Sequence, residues 1–295
     1  MKRYIYLVLL TALISSCKKK DNSEETKWTE PLRIASYNIQ YDNTGTPPLG
    51  PWANRKEAFK TLLTKYDFDI IGAQEPYLFQ LNDIKIMLPQ YDYIGIDIEG
   101  GTTGLRKHYT PIIYKKDKFE ILDWGTFWFS SDSSTPGSIG WDAYSPRICT
   151  RALIKDKTTG KIFNFMNVHL DHIGVTARNM SVQMILSLVP SVSAKYPVIV
   201  TGDFNQNQNT VNITKIKNSG VLRDSRDMAL TLVNGDKGTF NDYDINYTNT
   251  SRIDHLFLST GLPLRVKSWQ IVTDYFNGQY ASDHCPIMVE LQLPK

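Results

Sequence analysis

The sequence predicts an α/β fold, a four-layer α/β/β/α sandwich, from three observations. Short apolar runs of strand length recur along the chain, a few amphipathic helical stretches are interleaved with them, and the two halves repeat that arrangement. Strands that outnumber helices in this way can bury every apolar face if two sheets pack together with helices outside.

Leu32-Arg-Ile-Ala-Ser-Tyr alternates and reads as a strand. Trp52 to Lys65 carries Ala58, Phe59, Leu62 and Leu63 on one helical stripe, and Asp69-Ile-Ile-Gly-Ala is a short buried strand. Leu78 to Leu88 reads as helix and Tyr91 to Ile96 as extended chain. Four strands follow at Pro111 to Tyr114, Phe119 to Phe129, Arg147 to Ile154 and Ile162 to Val168. Val175 to Leu188 is a second strong helix, with Val182, Ile185 and Val189 on one face. Val198-Ile-Val-Thr, Ile253 to Leu258, Val266 to Val272 and Ile287 to Leu293 complete the strands. From residue 32 onward there is no linker, repeat or charge block, so residues 31–295 are expected to form one domain.

The chain has 295 residues, 41% of them hydrophobic and 21% charged, which excludes disordered and fibrous classes. Met1-Lys2-Arg3 followed by the apolar stretch Tyr4 to Ile14 has the form of a signal peptide, and it is too short for a comfortable permanent span. Leu13-Ile14-Ser15-Ser16-Cys17 resembles a bacterial lipoprotein box, which implies cleavage after residue 16 and acylation of Cys17. Residues 17–30 are then expected to form a charged, flexible tether. Two acyl chains would anchor the protein firmly to a membrane, so an extracytoplasmic lipoprotein is expected, at the outer membrane or cell surface of a Gram-negative cell.

Without Lys2 and Arg3 the 33 basic residues become 31 against 30 acidic ones, a net charge of +1. A strongly basic nucleic-acid surface is therefore not visible in bulk. Cys149 and Cys285 lie inside apolar runs and read as buried free thiols rather than a disulfide, though the sequence does not settle their pairing. His169-Leu-Asp-His172 lacks further nitrogen or sulfur ligands nearby, so zinc is not expected.

Polar residues cluster where strands end. Asn38, Glu75, His169, Asp171, His172, Asp203 and Asn205 each follow an apolar strand, Asp254 lies inside Arg252-Ile-Asp-His-Leu-Phe-Leu, and Asp283-His284 precede another. Taken singly, such residues are ordinarily turn formers or caps. Converged on one rim, they would supply oxygen ligands for a hard divalent cation plus one or two imidazoles.

Ser36-Tyr-Asn-Ile, Gln74-Glu75-Pro, Asn167-Val-His-Leu, Gly202-Asp-Phe-Asn, Arg252-Ile-Asp-His and Ser282-Asp-His occur in that order. Together they resemble the endonuclease/exonuclease/phosphatase superfamily, which contains deoxyribonuclease I, apurinic endonucleases, deadenylases, bacterial sphingomyelinases and inositol-polyphosphate phosphatases. The resemblance runs from about residue 32 to 293. It implies the deoxyribonuclease I-like sandwich and phosphate-ester cleavage with Mg²⁺, or Mn²⁺ or Ca²⁺ in its place.

Carried over residue by residue, the resemblance implies Asn38, Glu75 and Asp283 at the metal. It implies His284 as general base, with Asp254 fixing its tautomer. Asp203 and Asn205 would orient water and phosphoryl oxygens, His169 would hydrogen-bond the phosphate, and Arg147 would contact it. Nothing resembles a covalent nucleophile, so in-line attack by water is expected. Where related members place a Glu that supports the second histidine, this chain has His108. Asp171 and His172 inherit no role from it; they would line the substrate groove or form a polar loop after a strand.

Thr250-Ser-Arg-Ile-Asp-His departs from the run typical of inositol phosphatases, and the near-neutral charge disfavours a tight nonspecific DNA binder. Trp124, Trp128, Trp141, Tyr144 and Tyr247 could stack bases or sugars, form an apolar lip at a membrane, or simply pack in the core or on the strand surface. The expected substrate is nucleic acid or a related phosphodiester. A phospholipase C-like or sphingomyelinase-like action on a phospholipid headgroup is the alternative, and a catalytically silent surface binding protein is the third. A monomer is expected.

Overall fold

A computed structural model describes Met1 and residues 26–45 and 50–295 of the chain. Cys17 and the leader lie outside the described residues. The elements run β1 (Leu32–Asn38), α1 (Trp52–Tyr66), β2 (Ile70–Gln74), α2 (Leu78–Met87), β3 (Tyr91–Ile94), β4 (Ile112–Lys115), β5 (Phe119–Trp128), β6 (Ile148–Asp156) and β7 (Ile162–His169). Then come α3 (Val175–Ser193), β8 (Val198–Asp203), α4 (Val211–Lys217), β9 (Leu222–Asp224), α5 (Ser225–Met228), β10 (Thr231–Val233), β11 (Asp254–Ser259), β12 (Arg265–Ile271) and β13 (Ile287–Gln292).

Seven strands form one sheet in the order β10-β12-β13-β1-β2-β4-β3, and six form the other in the order β5-β6-β7-β8-β11-β9. The central strands are apolar on both faces because both faces are covered. Ile34, Ile70, Ile112 and Val289 point into a core shared by the two sheets, with Phe163, Phe165, Ile199 and Leu256 from the other side. Their neighbours Ala35, Ile71, Ile113 and Met288 point outward, against Phe59, Leu62 and Leu63 of α1 and Leu81 and Ile84 of α2. Val168, Val198 and Val200 pack likewise against Val182, Ile185 and Val189 of α3 and Ile213 and Ile216 of α4. The four-layer sandwich predicted from the sequence is the fold observed.

Two boundaries differ from expectation. Helix α3 continues through Pro190 to Ser193, beyond the expected end at Leu188. Residues assigned to the tether join the domain: Thr29 is buried, its N–H donates to Leu293 O at 2.9 Å, and Trp28 bridges to Pro294. The last strand carries its hydrogen bonding past Gln292 and so captures the chain before β1. Cys149 and Cys285 are both buried free thiols. Among the described residues no helix is long and apolar enough to cross a membrane.

Topology brings the polar residues to one rim. Strands β1 and β2 are parallel, as are β7 and β8, so Asn38, Glu75, His169 and Asp203 leave their strands at the same end. Strand β13 runs antiparallel to β1, β11 to β8, β6 to β7 and β4 to β2. The residues that enter those strands, Asp283 and His284, Asp254, Arg147 and His108, therefore reach the same end.

Candidate active site

The rim residues surround a cavity of about 640 Å³ lined by Glu75, Asp203, Asp283, His169, His284 and Arg147, among others. Glu75 and Asn205 have positive φ, 75° and 51°, as does Gln40 at 52°. Left-handed backbone outside glycine is costly, and here it turns the chain sharply just beyond β1, β2 and β8.

His284 Nδ1 lies 2.8 Å from Asp254 Oδ2, both groups being buried. The pair fixes the tautomer: with Nδ1–H donated to Asp254, the Nε2 lone pair faces the cavity, 3.9 Å from Asp203 Oδ2. Burial pushes the imidazole pKa down, but the charge and hydrogen bond of Asp254, with Asp283 and Asp203, outweigh burial and raise it well above the usual value. Burial and the neighbouring Asp254 push Asp203 up to about 7, against the opposing effect of His284. Asp283 is pushed up to about 6, first by burial.

Strand register sets His169 beside Asp203, and Asp203 beside Asp254. Glu75, His169 and Asp203 each offer a ligand atom within 4.8 Å of one another, and so do Asp203, Asp254 and His284. The Asn38 amide donates to Glu75 Oε1 at 2.8 Å and to Asp203 Oδ2 at 3.1 Å, spanning the two carboxylates. The two carboxylates suit a hard divalent cation such as Mg²⁺; the Asn38 NH2 holds them together, while its oxygen accepts from the Gln40 N–H at 3.0 Å. Asp283 lines the same cavity, but its Oδ2 accepts from Gln40 Nε2 and its Oδ1 from Ser282 Oγ. Asp203 is the carboxylate grouped with Glu75.

Arg147 is buried and held by Asp171. Its Nε donates to Asp171 Oδ2 at 3.0 Å, Nη1 lies 3.3 and 3.2 Å from the two ring nitrogens of His169, and Nη2 lies 2.9 Å from His172 Nδ1. Burial, Arg147 and the neighbouring histidines push the His169 pKa well below its usual value, so the ring is neutral. Asn205 Nδ2 lies 3.3 Å from His169 Nε2 and donates to Leu170 O at 2.9 Å. Among the described residues the polar neighbours of His169 are therefore Arg147, Asn205, Glu75 and Asp203. His108 stacks on Tyr41, with ring centres 4.8 Å apart, instead of supporting His169.

Several contributors carry no signal in the sequence motifs. Arg55 is fully buried in α1 and donates to the carbonyls of Gly50, Ile39, Ala281, Gln40 and Tyr41. Its position one turn before Phe59, on the apolar stripe, was the available clue. Tyr243 Oη donates to Gln40 Oε1 at 2.6 Å, orienting the amide whose other end holds Asp283. Of the five aromatics singled out in the sequence, only Tyr144 lines the cavity. Trp128 is buried and donates to Ile98 O, and Tyr247 packs on Tyr280.

The endonuclease/exonuclease/phosphatase family model matches residues 35–284. The chain belongs to that family. It is 38% identical to the mannosyl-6-phosphatase Bt3783 of Bacteroides thetaiotaomicron, covering 88% of this chain and 99% of that one, with a TM-score of 0.82. A family protein of the same organism is 37% identical over 91% of this chain and all of its own, with a TM-score of 0.84. A zebrafish TDP2 structure with single-stranded DNA product shares the fold at 17% identity, covering 88% of this chain and 98% of its own, with a TM-score of 0.67. No curated protein matches the chain significantly. Membership of the family makes the chain a phosphoesterase of this superfamily, with divalent-metal dependence general among its members.

Proposed function

We propose that this chain hydrolyses small sugar phosphate esters, using Mg²⁺ or a similar ion, by direct attack of water on phosphorus. The observation that carries the chemistry is the buried His284–Asp254 pair at 2.8 Å, with its free nitrogen turned toward Asp203 across the cavity. Asp254 holds the imidazole in the tautomer that takes a proton at Nε2. Arg147, clamped by Asp171, presents a fixed cation to the phosphate, and Asn205 offers amide hydrogens beside it. Glu75, Asp203 and Asn38 would hold the ion, with Asp283 in support. When bound, the ion neutralises charge on the phosphoryl oxygens.

The sugar-ester reading is supported by the size of the cavity, which suits a small ligand. It is also supported by the 38% identity to a mannosyl-6-phosphatase. Nucleic acid calls for unpaired cations along a groove. Arg147 is the single Lys or Arg in the lining, while Arg106 and Lys107 beside it pair with Asp42 and Glu99. Hydrolysis with Mg²⁺ and with EDTA tests the proposal, using mannose 6-phosphate, bis-p-nitrophenyl phosphate, DNA, RNA and sphingomyelin. Metal-dependent turnover of the sugar ester is expected. Preference for DNA or RNA would return the nucleic-acid phosphodiester reading, and preference for sphingomyelin the lipid one. Acylation at Cys17 is part of the same proposal, and membrane fractionation of the Cys17→Ala chain tests it.

A further inference from the structure

We propose that Tyr144 and His172 form the subsite for the non-phosphate half of the substrate, and that this half is a polyhydroxylated ring. The inference rests on the cavity being a phosphoesterase site.

Asp171 organises both residues. Its Oδ1 accepts from the amides of Ile173 and Gly174. Its Oδ2 accepts from Arg147 Nε and also from the backbone N–H of Tyr144, each at 3.0 Å. One buried carboxylate oxygen therefore fixes the guanidinium that faces the phosphate and the backbone that carries the tyrosine. Tyr144 is nonetheless 71% exposed while lining the cavity. A large ring held at its backbone and uncovered on its face is arranged for a ligand rather than for the core.

The His172 ring stands 5.3 Å from Tyr144, nearly perpendicular to it. Arg147 Nη2 lies 2.9 Å from His172 Nδ1, and a guanidinium can only donate. Nδ1 therefore accepts, and Nε2 carries the hydrogen. His172 is a neutral donor placed beside an aromatic face.

A second aromatic group comes from the other sheet. Tyr41, Tyr77 and His108 cluster with ring centres 4.8 to 5.5 Å apart, Tyr41 stacked on His108 and Tyr77 tilted against both, and all three line the same cavity. Aromatic faces suit the C–H face of a sugar ring, and fixed donors suit its hydroxyl oxygens. Aromatic faces alone would also suit a nucleobase or a choline headgroup; a ring that carries hydroxyls on its edge uses the faces and the donor together.

The full chain would be assayed with Mg²⁺ on mannose 6-phosphate, glycerol 3-phosphate (hydroxyls without a ring), phenyl phosphate (a ring without hydroxyls) and a nucleoside 5′-monophosphate. Mannose 6-phosphate should have the highest kcat/KM. Tyr144→Ala should raise its KM about tenfold, the scale of losing one stacking partner. The change for glycerol 3-phosphate should be smaller, and Tyr144→Phe should restore the preference. His172→Ala should narrow the gap between mannose 6-phosphate and phenyl phosphate. An equal effect of Tyr144→Ala on all four esters would overturn the proposal, as would a preference for the nucleotide. Saturation-transfer NMR with mannose 6-phosphate separates the two readings. Binding lost in Tyr144→Ala, with no turnover of any ester, would uphold the subsite and reject the hydrolytic function. No binding to the wild-type chain would overturn the subsite itself.

Discussion

Arg147 Nε donates to Asp171 Oδ2 at 3.0 Å, and both side chains are buried. Burial alone would raise the Asp171 pKa. The amides of Gly174 and Ile173 and the Arg147 charge outweigh it and hold the carboxyl at about 2. A carboxyl depressed in the folded state adds stability that is complete above its unfolded pKa of about 4 and is lost as pH falls through about 2. Asp171→Asn is therefore expected to cost about 2 kcal/mol at pH 7, with a deficit that shrinks between pH 4 and 2. Denaturant unfolding of both proteins across that window checks it. A deficit that does not vary with pH would contradict the assignment.

His284→Ala and Asp254→Asn should each lower kcat by about 10²- to 10⁴-fold, because one removes the proton acceptor and the other its orientation. Circular dichroism should show both folded. Turnover within a few-fold of wild type would remove His284 from the role of base.

Glu75 and Asp203 are joined through the Asn38 amide. Glu75→Gln and Asn38→Ala should each raise the Mg²⁺ concentration for half-maximal activity by about tenfold or more. Calorimetric titration of Mg²⁺ reads the same loss without turnover. An unchanged titration in either variant would exclude that residue from holding the ion.

Gly72 of β2 lies directly against Thr201 and Asn167 of the other sheet. A Cβ there would stand 1.9 Å from Thr201 Oγ1 and 2.6 Å from Asn167 Oδ1. Gly72→Ala must push the sheets apart and should cost about 1–3 kcal/mol or more, as overpacking does. Thermal unfolding measures it, and an unshifted Tm would show that the sheets can yield.

Legibility followed the length of the pattern. Ile34-Ala35, Ile70-Ile71 and Ile112-Ile113 are doubled apolar residues, and doubling marks strands covered on both faces; these strands were readable. Strands β9 and β10 have three residues each, and β10 is exposed throughout, so no period could announce them. Helices α4 and α5, of seven and four residues, were missed for the same reason. The rim residues were legible because parallel strands deliver their ends to one side. Tyr41, Tyr77 and His108 meet only through the packing of three separate loops, which spacing along the chain does not encode. The support of His169 by Arg147 instead of an acid was equally invisible, since it depends on where Asp171 turns the guanidinium.

Just beneath the rim, polar contacts add to the apolar core that the two sheets share. Gln74 Nε2 donates to Asn167 Oδ1 at 2.7 Å, and Asn167 Nδ2 donates to the carbonyls of Ala73 and Pro111 at 2.6 and 2.8 Å. Each sheet supplies groups that the other must satisfy, and an unmet buried amide costs about 1–3 kcal/mol. Strand β1, near the chain's start, is completed on one side by β13 near its end, so the sheet that carries Asn38 and Glu75 is closed by residues about 250 positions apart in the sequence.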